Sequence, residues 1–155
     1  MRWISDTTRL VSWMTIGLFL WFGTSFVGIS GFTGRWHTSQ GIWLVLAVCF
    51  MIAMLISIVG YFSGKRFGDW ILLLVLPLWL WMQYLDHIRF LIFGTTATHA
   101  AQYYEIHNYL YLVPKLENRI VPDAFHMIMD LLCIIILVLV MIRLIYRKYK
   151  FPVSS

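Results

Sequence analysis

The segment LDHIRF (residues 85–90) sets a carboxylate, an imidazole and a guanidinium, those of Asp86, His87 and Arg89, inside an otherwise apolar run. A similar set recurs later in the chain. Asp123, His126, Asp130 and Cys133 follow one another at steps of three, four and three, which puts them on a single helical stripe. On a regular helix Gln83, Asp86 and Arg89 share one face, and Asp86 and Arg89 come close enough to pair. His87 lies about 100° around the helix from Asp86.

Three kinds of chemistry fit these residue types. The first is a buried ion-pair network, Arg89 with Asp86 or Asp130 and His87 or His126 hydrogen-bonded beside them, which fixes helix register. The second is a ligand, proton or signal-coupling site, because an imidazole among carboxylates changes charge near neutral pH. The third is a metal site. His87 and His126 on different helices would ligate one haem b, or the same pair with Asp130 and His99 or His107 would hold a transition metal. No HxxxH or ExxH spacing supports the metal reading.

Other catalytic signatures are missing from the sequence. There is no P-loop, GxSxG elbow, HExxH or dinucleotide glycine fingerprint, so no enzyme activity is expected. Cys49 and Cys133 stand in separate apolar runs without CxxC spacing, which argues against thiol–disulfide chemistry and for buried, reduced packing residues.

These side chains must be positioned by elements built for lipid. Hydrophobic residues make up 61% of the 155 and charged residues 12%, about half the charged share of a soluble domain. Four runs reach the roughly 20 residues a bilayer crossing needs: 10–32, 41–62, 70–93 and 124–146. They are continuously apolar rather than alternating, as a β-barrel would require. The expected fold is therefore an all-α integral membrane protein in which residues 1–155 form a single four-span domain. Between the third and fourth spans, the outer segment 94–123 carries Tyr103, Ile106, Leu110 and Val113 at helical spacing. A short amphipathic interfacial helix is expected over 97–112.

Four spans place both termini on one side. Eight of the twelve basic residues fall there (Arg2, Arg9, Lys65, Arg66, Arg143, Arg147, Lys148 and Lys150), against Arg35, Lys115 and Arg119 on the other. The positive-inside rule makes that side cytoplasmic, in the plasma (inner) membrane. It also explains the net charge of +5 without nucleic acid, since the basic residues cap apolar runs and form no stripe. In the tail ending the chain (147–155) and the turn before it, Arg143, Arg147, Lys148 and Lys150 are expected to contact anionic lipid or a partner. Gly23, Gly28 and Gly31 in the first span mark a surface for close helix packing, within the bundle or between subunits of a homo- or hetero-oligomer. The expected role is a non-enzymatic membrane subunit acting as anchor, scaffold or sensor within a larger assembly, its partners being lipids and other membrane subunits. A redox or haem- or metal-binding subunit is the alternative.

Overall fold

The computed structural model describes residues 2–27, 41–106 and 110–150, and these form an all-helical protein. In chain order the helices are α1 (Arg2–Val27), α2 (Ile42–Phe62), α3 (Phe67–Gln83), α4 (Arg89–Phe93), α5 (Ala97–Ile106) and α6 (Ala124–Lys150). One π-helical turn, Tyr84–Ile88, joins α3 to α4 without a break. Among the described residues, three stretches are long and apolar enough to cross a membrane: Leu44–Phe62, Phe67–Phe93 and Ala124–Tyr146. Helices suit that solvent because they satisfy every backbone N–H and C=O within the segment. The expected first span at 10–32 corresponds to α1 as far as Val27, and residues 28–32 lie outside the described residues.

The four long helices close a ring: α1 packs on α2 and α6, and α3 packs on the same two. Each turns an inward stripe to the core at steps of three and four, such as Val11, Thr15, Leu18 and Phe22 on α1 and Met129, Cys133, Ile136 and Val140 on α6. Phe22, Phe50 and Trp79 meet at its centre, with Trp79 stacked on Phe50 at 4.3 Å and edge-on to Phe22 at 4.9 Å. The buried hydroxyls of Thr15 and Ser57 donate to the carbonyls of Val11 and Ala53 one turn back, so neither requires a partner helix. Outward faces carry large apolar side chains such as Trp13, Leu20, Leu74, Leu78 and Ile145.

The α2–α3 hairpin brings two backbones into contact. A Cβ on Gly68 would lie 2.8 Å from the carbonyl oxygen of Ser57, a backbone atom that cannot swing aside. Gly68→Ala is expected to force the helices apart at a cost of about 1–3 kcal/mol, the usual penalty for overpacking. A thermal midpoint in detergent equal to that of the native protein would contradict this close crossing.

In the segment 94–123 helix α5 covers Ala97–Ile106, and residues 107–109 lie outside the described residues. The expected helix does not reach 112: from Leu110 onward a non-helical strap leads back to α6. Tyr104 holds the strap: its hydroxyl donates to Arg119 O at 2.8 Å and accepts from Val121 N–H at 3.0 Å. Arg119 in turn donates from Nη1 to the carbonyls of Leu91 and Ile92, closing backbone groups that the end of α4 would leave orphaned. Gly94, at φ +82°, makes the reversal from α4, and Thr95 N–H then donates to Asn118 O at 2.8 Å.

Candidate functional site: an imidazole pair above an apolar plug

The inward stripe of α3 runs Asp69, Leu72, Leu76, Trp79 and Gln83. Continued as a regular helix it would bring both Asp86 and His87, three and four residues after Gln83, near that stripe. The π turn at Tyr84–Ile88 winds more residues into each turn, which keeps His87 on the stripe and carries Asp86 off it. His87 is buried, 6% exposed, while Asp86 is half-buried and Arg89 exposed. The expected face of Gln83, Asp86 and Arg89 is accordingly split.

The His87 ring lies against the His126 ring of α6, with centroids 4.5 Å apart and planes tilted by 36°. Tyr103 of α5 meets His87 edge-on at 5.6 Å, so α5 roofs the pair. Asp123, fully buried, fixes His126 twice. One carboxylate oxygen accepts the His126 backbone N–H at 3.0 Å and the other accepts Nδ1–H at 2.7 Å. The first bond caps the N-terminus of α6, and the second orients the imidazole. Burial by itself opposes ionisation of Asp123. The charge of His126, its two hydrogen bonds and the charge of His87 outweigh burial and hold the carboxyl below its ordinary value. The carboxylates of Asp130 and Asp86 also act on the His126 ring.

The expected pairing of Arg89 with Asp86 or Asp130 is not formed within 4.0 Å among the described residues. The guanidinium instead stacks over Phe90 at 4.4 Å. The cluster therefore holds three carboxylates (Asp86, Asp123 and Asp130) and two imidazoles, with the charge of the exposed Arg89 still acting on Asp86.

The metal donors are only partly assembled. Among the described residues no group of three or more His, Cys, Asp and Glu is placed to hold a metal ion. His87 and His126 lie ring against ring, whereas His99 sits on exposed α5, hydrogen-bonded to Thr95 at 2.8 Å and edge-on to Phe90. His107 lies outside the described residues.

A second polar pair occupies the opposite end of the same two helices. Arg143 on α6 and Asp69 on α3 are both buried, with Nη1 3.3 Å from Oδ1. Tyr61 of α2 donates its hydroxyl to the same Asp69 oxygen at 2.9 Å, and the Arg143 guanidinium lies over its ring at 5.0 Å. Arg143 is therefore not a lipid or partner contact. It belongs to the inward stripe after Met129, Cys133, Ile136 and Val140, a spacing of four, three, four and three that the sequence already contains. Reading it as a topology signal hid that stripe, and Asp69 was missed with it. α6 continues as a helix through Lys150, but the side chains of Arg147, Lys148 and Lys150 lie outside the described residues.

Between the polar ends lie Leu72 and Leu76 on α3 and Ile136 and Val140 on α6, all fully buried. This apolar plug separates the imidazole pair from the Asp69–Arg143 pair. Of the packing glycines, a Cβ on Gly23 would meet Met51 of α2 at 3.7 Å, ordinary contact within the bundle, while Gly28 and Gly31 lie outside the described residues. Cys133 is buried and Cys49 exposed, and both are free.

No protein-family model, curated protein or solved structure matches this chain.

Proposed function

We propose that this protein is a non-enzymatic multi-pass membrane subunit that senses protonation at the outer face of the cell (inner) membrane. In this reading α1 is the fourth crossing, both termini are cytoplasmic, and α5 lies at the outer interface. The outward apolar faces contact lipid and the helices of partner subunits.

The contact between His87 and His126 carries the reading. Two imidazolium charges at that separation repel by about 4 kcal/mol at the effective dielectric of a protein near its surface. The surrounding carboxylates of Asp86, Asp123 and Asp130 offset part of this and draw protons to the pair. Acidification at the outer face therefore charges the second ring and drives the two apart. His126 is tethered to Asp123, so His87 yields, and with it the π turn and Tyr103 on α5. π turns interrupt regular helices frequently at functional sites, where a small shift in winding changes which side chain faces inward.

The test is amide hydrogen exchange of α5 in proteoliposomes, with only the outer face brought from pH 7 to pH 5. Exchange is expected to rise several-fold in the native protein and to stay level in His87→Phe, which keeps a ring against Tyr103 but cannot be protonated. An equal rise in both proteins would refute the sensing role. Labelling of a cysteine placed at Lys65 from the outer side would refute the orientation.

A further inference from the structure

One helical turn beneath the imidazole pair lies a second layer of polar atoms. Gln83 precedes His87 by four residues on α3, and Asp130 follows His126 by four on α6. Because these helices pack on one another and the rings are level, Gln83 and Asp130 are level too. Gln83 is 5% exposed, and its Oε1 makes no hydrogen bond among the described residues. The same is true of the buried oxygen Asp130 Oδ1. Trp79, a further turn inward on the stripe of Gln83, has a buried indole N–H without a partner among the described residues.

Two buried acceptors at one depth, each without a donor, are costly in an apolar medium. An ionised carboxylate can only accept, whereas a protonated one has an O–H to give.

We infer that Gln83 and Asp130 form a proton-binding site one turn below the imidazole pair. In it Asp130 Oδ1–H donates to Gln83 Oε1, directly or through one water that also accepts the Trp79 N–H. The proton moves from an imidazolium nitrogen of the pair to the Asp130 carboxylate, leaving a neutral ring and a neutral acid, so the buried site holds no net charge. Leu76 and Ile136 stop it there, and exchange is with the outer face alone. The ionisable groups around Asp130 are His126, Asp123 and Cys133 on its own helix and Asp86 and His87 on the π turn. The inward stripe residues of α1 (Val11, Thr15, Leu18 and Phe22) and of α2 (Ala47, Phe50 and Met54) carry none.

This rests on the sensing reading for the imidazole pair: with Asp130 already holding its proton at pH 7, the proton added on acidification stays on the rings. Infrared spectroscopy tests the site apart from that reading. The full-length protein is measured in lipid films at pH 7 in H2O and in D2O. A protonated-carboxyl C=O band is expected in the native protein, shifted down in D2O, lost in Asp130→Asn and shifted up in Gln83→Leu, which removes the acceptor. Retention in Asp86→Asn assigns the band to Asp130. The absence of a band in the native protein, or its persistence in Asp130→Asn, overturns the site. Gln83→Leu leaves every charge in place, so the proposal remains testable if Asp130→Asn fails to fold. A clear band with no acid response of α5 would refute sensing while leaving this site intact. An acid response with no band would do the reverse.

Discussion

Arg143→Ala is expected to lower the stability of the protein by about 3–5 kcal/mol, the range for breaking a buried ion pair by removing one partner. Both members are almost wholly shielded, at 3% and 0% side-chain exposure, so Asp69 would be left with its charge uncompensated. The hydroxyl of Tyr61 still donates to Asp69, but a neutral donor cannot replace a guanidinium. Asp69→Leu combined with Arg143→Met should recover most of the loss, because two apolar side chains of suitable volume avoid the desolvation of both charges. Denaturation in detergent micelles, followed by circular dichroism, measures all the variants. Additive losses in the double variant would show that each residue acts alone. Since α2, α3 and α6 all reach this cluster, its failure should loosen that end of the bundle first.

The second large effect is expected at Asp123. Asp123→Ala removes the N-cap of α6, ordinarily worth about 1 kcal/mol, and a charge-assisted bond to His126, worth about 1.5–3 kcal/mol. A combined loss of about 2.5–4 kcal/mol follows, in a helix that also carries Asp130 and Arg143. Asp123→Asn should lose less, since an amide oxygen still caps the helix. The pH dependence has a definite sign. The Asp123 carboxyl is held below its ordinary value of 3.8, with burial opposing and His126 prevailing. Its stabilisation is therefore complete above that ordinary value and disappears as pH falls through the lower value of the folded state. Stability measured from pH 5 downward should fall less steeply in Asp123→Asn than in the native protein. Parallel curves would show that Asp123 does not contribute through its charge.

The candidate residues were only partly legible as a group. His126 and Asp123 sit three apart at a helix start, and local geometry alone brings them together. The contact of His87 with His126 required a further fact, that α3 and α6 are neighbours. A regular helix drawn through LDHIRF leaves both Asp86 and His87 near the inward stripe of α3. The π turn at Tyr84 separates them in favour of His87, and no periodicity count on this stretch signals such a turn. Arg143 shows a different failure. Its position on the α6 stripe was legible, but a basic residue at the end of an apolar run also fits a topology signal, and only Asp69 at the same depth separates the two meanings.

Taken alone, the sequence determined the solvent and the elements. Long apolar runs without alternation can satisfy their backbone in lipid only as helices, a property local to each run. Three such stretches stand in the structure as span-length helices. Which polar groups meet was decided by tertiary structure, because pairing depends on relative depth, on neighbour choice around the ring and on helical phase. A one-residue change in phase rotates a side chain by about 100°, enough to exchange a buried imidazole for its half-buried carboxylate neighbour.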